Sequence, residues 1–227
     1  YSFTTMPAQD ITLYAKWTVN SYTITFNSNG GTDLESISQD YDTIINLPNN
    51  PAREGYTFQG WFEDENLSIP YDLEKMPSRN VTLNAKWTIN QYTITFDSDG
   101  GTKVNSITQD YSSEVNKPRN PTREGYTFEG WYSNSSLTSI YSFTTMPAQD
   151  ITLYAKWTVN SYTITFNSNG GTDLESISQD YDTIINLPNN PAREGYTFEG
   201  WYSNSSLTSI YSFTTMPAQD ITLYAKW

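Results

Sequence analysis

The side chains that most often do chemistry are absent or scattered in this chain. Its 227 residues include no histidine and no cysteine. That removes the commonest general base, the thiolate nucleophile, the Cys-type zinc site and any disulfide framework. Carboxylates, amines and phenols remain. The densest acidic cluster is Glu63-Asp64-Glu65, and a carboxylate pair in a cleft would suit acid–base chemistry. The corresponding places further along hold Ser133-Asn134-Ser135 and Ser203-Asn204-Ser205. A function common to the whole chain cannot rest there, and a solvated loop explains the run. Asp97-Ser98-Asp99-Gly100 resembles the opening of an oxygen-ligand calcium loop. An EF-hand would need its bidentate glutamate where Thr108 stands, and the equivalent pairs are Asn27/Asn29 and Asn167/Asn169. Turn chemistry covers all three versions without a metal. No catalytic residue, metal or cofactor is expected.

Two further residue types recur. Lys16, Lys86, Lys156 and Lys226 occupy one repeated position and raise the question of intramolecular Lys–Asn crosslinks. Strand alternation puts them on the outward side, away from any buried carboxylate. Tyr14, Tyr154 and Tyr224 share that side, with Asn84 once in their place. An exposed ring could serve as a sugar platform, and cross-strand packing explains it equally. The formal charge of −13 argues against a nucleic-acid or anionic-membrane surface. No apolar run approaches the roughly 18 residues of a membrane span, so no membrane insertion is expected in this segment.

The elements that carry these residues repeat. Trp17, Trp87, Trp157 and Trp227 are 70 residues apart, as are Trp61, Trp131 and Trp201. The chain divides into a 17-residue fragment, 1–17, and three units, 18–87, 88–157 and 158–227. The fragment is identical to 141–157 and 211–227, and 1–61 matches 141–201 except for Gln59 against Glu199. A chain that starts inside a unit is expected to be a window on a longer tandem array.

Within one unit, Tyr22-Thr-Ile24-Thr-Phe26 alternates strictly and predicts a half-buried strand. Asn29-Gly30 predicts a hairpin turn, with a return strand around 34–41. The stretch 44–55 carries Pro48 and Pro51 and cannot be a regular helix, leaving room for one helical turn near 42–47. Tyr56, Phe58 and Gly60 then open another strand, and a bulge at Gly60 would bring Phe58 and Trp61 to one core. The last strand is Ile11–Trp17 and its copies, with Ile11, Leu13, Ala15 and Trp17 inward. Met6–Asp10 reads as the turn before it. Trp17 and Tyr22 differ in parity, so the linker 18–21 must switch faces while remaining a semi-rigid joint. The expected structural core is Phe58, Trp61 and Trp87, with Phe128, Trp131, Trp157, Phe198, Trp201 and Trp227. The fold class is mainly β, α+β at most.

The succession YTITFNSNGG, REGYTFEGWY and MPAQDITLYAKW resembles the Listeria–Bacteroides repeat family, which includes the B-repeat of the listerial internalins. The likeness covers all three units, with Phe62 and VTLNAKW as small departures in the first. It implies tandem β-grasp-like (ubiquitin-like) domains in an elongated array, on bacterial surface or secreted proteins, with no catalytic residues to transfer. The leading expectation is a non-enzymatic stalk, spacer or filament segment, extracellular in location. One alternative is a multivalent adhesion module for a host protein or glycan. Another is self-association, with Ile11–Trp17, Phe3 and Met6 acting as an orphan edge strand that adds to a neighbour. The units differ in charge, with 10 acidic and 4 basic residues in the first, 7 and 5 in the second, 7 and 2 in the third. A spacer tolerates that spread better than a shared docking surface does.

Overall fold

The computed structural model describes residues 4–227; Phe3 lies outside them. The chain falls into two compact units, Tyr1–Asn90 and Gln91–Trp227. The first carries β1 (Ser21–Asn27), β2 (Ile37–Asp40), β3 (Tyr56–Phe62) and β4 (Val81–Ile89). The second carries two sets: β5 (Gln91–Asp97), β6 (Ile107–Asp110), β7 (Tyr126–Tyr132) and β8 (Ile151–Val159), then β9 (Ser161–Asn167), β10 (Ile177–Asp180), β11 (Gly200–Tyr202) and β12 (Ile221–Lys226). Each set forms one four-stranded sheet, in the orders β2-β1-β4-β3, β6-β5-β8-β7 and β10-β9-β12-β11. The central pair is parallel and the flanking pairs antiparallel. The architecture is mainly β, and no helix forms among the described residues.

Alternation in β1 does what it predicts. Ile24 and Phe26 are buried, while Thr25 between them faces water. In β4 the inward set is Val81, Leu83 and Ala85. Ser28–Gly31 closes a turn with Asn29 at φ 45° and Gly30 at φ 87°, and the Gly31 N–H donates to the Ser28 carbonyl at 3.0 Å. Positive φ at both central residues is the type I′ geometry. The chain does not return as a tight hairpin, however. It leaves the turn to pair with Ala52, whose carbonyl accepts the Thr32 N–H at 2.9 Å. The return strand is therefore confined to Ile37–Asp40.

The helical turn considered near 42–47 does not form. Asp42 is left-handed at φ 66°, a conformation that interrupts a helix. The Asp42 and Ile45 N–H groups donate to the carbonyls of Met76 and Glu74, which strap this loop onto the segment preceding β4. The bulge in β3 is present: the register against β4 shifts between Phe58 and Gly60, pairing Phe58 with Trp87 and Trp61 with Ala85. Gly60 there takes φ 131°, open to glycine and strained for other residues.

The fragment behaves differently from its copies. Residues 11–20 repeat 151–160 letter for letter, yet they form no strand, with Leu13 61% and Trp17 88% exposed. In the complete repeats this segment is the central strand, bonded on both sides, as β8 is to β5 and β7. Among the described residues, 11–20 have no such strand partners. The reading of Ile11–Trp17 as an edge strand is thus corrected. Its complete copies sit in the middle of their sheets, and a complete repeat already fills that place with its own strand.

The two glycines of the turn have separate reasons. Gly30 supplies the positive φ. Gly31 makes room for an aromatic ring: a β-carbon there would lie 2.5 Å from Cζ2 of Trp87. Gly101 and Gly171 meet Trp157 and Trp227 in the same way. Replacing Gly101 by Ala should destabilise its repeat by about 1–3 kcal/mol through overpacking. Trp157→Phe in the same chain should recover part of that loss in a double-mutant cycle. Chemical unfolding is the check, and an unchanged midpoint for Gly101→Ala would contradict the seat.

Candidate functional site

Each repeat gathers its aromatics around Gly60, Gly130 or Gly200, and in the first two this glycine closes a bulge. Phe58 stands edge-on to both Trp61 and Trp87, with ring centres 5.3 and 5.4 Å away, and Phe26 lies 5.1 Å from Trp61. The second repeat sets Phe128 at 5.4 Å from Trp131 and 5.3 Å from Trp157. In the third, Phe198 is 5.4 Å from Trp201 and 5.6 Å from Trp227. Pairs of this kind contribute about 0.5–1.5 kcal/mol beyond the area they bury. Trp61, Trp131 and Trp201 are buried, while Phe58, Phe128 and Phe198 and Trp87, Trp157 and Trp227 are half-buried against the clusters. The two tryptophan positions differ in polarity. The Trp87, Trp157 and Trp227 indoles donate to the carbonyls of Ser28, Ser98 and Ser168 at 2.9–3.0 Å. The indole N–H groups of Trp61, Trp131 and Trp201 are buried without a hydrogen-bond partner.

The carboxylates do not assemble into a catalytic pair. Glu63 forms an ion pair with Arg79. Asp64 caps its own loop, accepting from Ser68 Oγ at 2.7 Å and from the Ile69 N–H at 2.7 Å. Those hydrogen bonds, led by the one from Ser68, hold its carboxyl below the usual carboxylate range. Asn134 and Asn204 do the same work uncharged, accepting from the N–H groups of Thr138 and Thr208. What recurs is an acceptor oxygen. Asp97 is likewise a turn residue, taking the Asp99 N–H at 3.0 Å as Asn27 and Asn167 take theirs. Among the described residues no group of three Asp or Glu is placed to hold a metal ion.

The outward face is only partly as alternation suggests. Lys86, Lys156 and Lys226 lie over the rings of Phe62, Tyr132 and Tyr202, 4.7 to 5.3 Å from their centres. Tyr14 is 90% exposed, but Tyr154 and Tyr224 are half-buried, paired across the sheet with Tyr132 and Tyr202. Asn84, expected outward, is buried, because its side-chain oxygen accepts from Asn27 Nδ2 at 2.9 Å. A shallow groove of about 800 Å³ beside Tyr154 and Tyr141 is edged by Asn134 and Gln149. In the first repeat the corresponding places hold Asn84, Tyr71, Asp64 and Arg79, and the Arg79–Glu63 pair lies there. The residues that edge the groove are kept in the third repeat and replaced in the first.

Several structural residues escape a reading by alternation. Met76, Met146 and Met216 are each 1% exposed, although their segment reads as a turn. The signal was that all four methionines of the chain, Met6 included, share one repeat position. Arg53 lies over the Tyr56 ring at 3.8 Å and donates to the Asn29 carbonyl at 3.1 Å, bracing the turn. Arg123 repeats both contacts on Tyr126 and Asp99. Asn80, Asp150 and Asp220 accept the N–H of Thr23, Thr93 and Thr163, tying the start of the last strand to the first.

The same repeating framework is matched among known proteins. The family model of the Listeria–Bacteroides repeat domain matches residues 22–86, 92–156 and 162–226. A protein of Evansella cellulosilytica provisionally named a Gly-rich membrane protein is 40% identical over 225 residues, 98% of this chain and 26% of that protein. A second from the same organism, provisionally named a membrane protein, is 39% identical over 220 residues, 96% of this chain and 33% of its own. Internalin H of Listeria monocytogenes is 40% identical over 144 residues, 62% of this chain and 26% of that protein. The chain thus spans between a quarter and a third of the length of these relatives. No helix among the described residues is long and apolar enough to cross a membrane.

Asp64 generates a pH prediction with internal controls. Its folded carboxyl titrates below the 3.8 of the free group, so its contribution is present above about pH 4 and is lost as pH falls through the lower folded value. The Ser68 and Ile69 amide resonances should move as the carboxyl titrates in acid. Those of Thr138, Ser139, Thr208 and Ser209 should show no such step, and Asp64→Asn should abolish it. An equal step at all three loops would contradict this assignment.

Proposed function

The chain belongs to the Listeria–Bacteroides repeat family, and from that premise we propose that it is a non-enzymatic structural stretch of a bacterial cell-surface or secreted protein. Its repeats set distance, and its mechanism is mechanical. The observation that carries this reading is a contrast within one chain. The buried scaffold recurs in all three repeats, whereas several exposed features that could serve a ligand differ in at least one repeat. The acidic cluster becomes Ser-Asn-Ser, the Tyr154 position becomes Asn84, and Asn134 and Gln149 at the groove's edge are Asp64 and Arg79 in the first repeat. The turn aspartates become asparagines.

The sheet order, with a central parallel pair between two antiparallel edges, supports a β-grasp-like reading in which strands and a strapped loop do the work without a helix. The names of the Evansella relatives support residence at the cell envelope, and the internalin relative supports an extracellular position. Between β8 and β9 only Asn160 lies outside a strand, which favours a stiff joint over a tether.

Small-angle X-ray scattering across a concentration series tests the spacer. A compact globule of this length has a radius of gyration near ~17 Å. Three units in line, each ~35 Å long from ordinary strand dimensions, give ~30 Å. The spacer predicts the larger value at every concentration. A value near the smaller one would overturn it and favour repeats packed together into a composite binding surface.

A further inference from the structure

Residues 125–132 and 195–202 are the same octapeptide, Gly-Tyr-Thr-Phe-Glu-Gly-Trp-Tyr, in two local structures. In the second repeat, β7 runs the full Tyr126–Tyr132. In the third, strand structure begins only at Gly200, and Tyr196–Glu199 lie outside it. Sequence cannot cause the difference, so the surroundings must.

The second repeat is followed by a neighbour. Val159 and Thr158 pair with Tyr126 and Thr127, and then Asn160 is held from both sides. Its N–H donates to the Gly125 carbonyl at 2.8 Å, and its carbonyl accepts the Tyr181 N–H at 2.9 Å. Its side-chain oxygen accepts from Thr127 Oγ1 at 2.6 Å, and its amide nitrogen lies 3.4 Å from the Tyr162 hydroxyl. Two bonds go to the earlier repeat and two to the later one. Tyr181 completes the joint: it is edge-on to Tyr126 with ring centres 6.0 Å apart. A β-carbon on Gly125 would lie 2.1 to 2.6 Å from three carbons of the Tyr181 ring, and Gly125 itself takes φ 74°.

In the third repeat no described residue takes the place of Asn160 and Tyr181 against this segment. A β-carbon at Gly195 would meet nothing within 4 Å, and Tyr196 is 57% exposed. At the other end, Asn20 still accepts the Tyr41 N–H, and Tyr41 is 51% exposed. In the first unit, Asn90 donates to the Gly55 carbonyl and takes the Thr57 hydroxyl, closing the earlier-repeat half of the same arrangement.

We propose that the tail of a repeat, Gly125–Thr127 in the second, is a docking surface whose partner is the head of another copy of the same repeat, entering with Asn160 and Tyr181, and that this docking orders the first half of the third strand. Neighbouring repeats are then coupled in stability as well as in sequence, the nearest-neighbour behaviour of repeat arrays. The inference is separate from the spacer reading, since a spacer keeps its length with coupled or uncoupled joints.

Hydrogen exchange read by mass spectrometry on the full chain tests it. The peptides 121–129 and 191–199 differ at Thr122 and Ala192 and are told apart by mass. In the unaltered chain the first should exchange at least ten-fold more slowly than the second. Tyr181→Ala and Gly125→Val should each bring 121–129 at least three-fold closer to 191–199. Tyr181→Phe, which keeps the ring, should leave it slow. Near-ultraviolet circular dichroism of each variant verifies that the aromatic cores persist, and Tyr181→Ala carries the test if Gly125→Val does not fold. Equal exchange of the two peptides in the unaltered chain would overturn the proposal. So would an undiminished difference in Tyr181→Ala, or loss of protection in Tyr181→Phe.

Discussion

In every repeat the last tryptophan rests against a glycine that has no room for a β-carbon and donates its indole N–H to the carbonyl that opens the same turn. This one contact ties the end of the central strand to the turn that leaves the first strand, across 59 residues of chain. The same indole also packs edge-to-face with Phe58, Phe128 or Phe198, the phenylalanine two residues before the bulge-position glycine. That phenylalanine then reaches the buried tryptophan beyond the bulge. A repeat of this size buries little apolar surface, so an aromatic chain running from turn to core concentrates much of what holds it together. The bulge exists to serve this arrangement. Without the extra residue at Gln59, Phe58 and Trp61 would fall on opposite faces of the strand.

Much of this was legible. The alternation of Tyr22, Ile24 and Phe26, the bulge at Gly60 and the asparagine–glycine turn all come from local rules of period and backbone freedom. The features that were not legible depended on distant partners. The second glycine of the turn looks like turn chemistry until the indole of Trp87 is seen on it. The proline-rich stretch shows no period, because its backbone bonds reach to distant segments, Ile45 to Glu74 and Ala52 to Thr32. Asn84 reads as outward and is drawn in by a hydrogen bond to Asn27. The methionine reads as part of a turn, since one apolar residue among polar ones carries no period.

Identical segments of this chain take different structures. Ile11–Trp17 and Ile151–Trp157 share one sequence, and only the second is a strand. The octapeptide at 125 and 195 divides in the same manner. Strand formation in this protein is conferred by bonded neighbours on either side, which is why a repeat depends on its complement of four strands and why its tail responds to the next repeat. Against that constant interior the exposed residues drift from copy to copy in charge, hydrogen-bonding groups and rings. A function of spacing needs only the interior.

Single-molecule stretching of the 227-residue chain between its termini tests the central claim, that each repeat is its own aromatic-cored unit in series, most directly. Three separate unfolding events are predicted, each releasing the contour of about 70 residues, roughly 230–250 Å less the folded span of one repeat. A single event that released the whole chain at once would contradict the account.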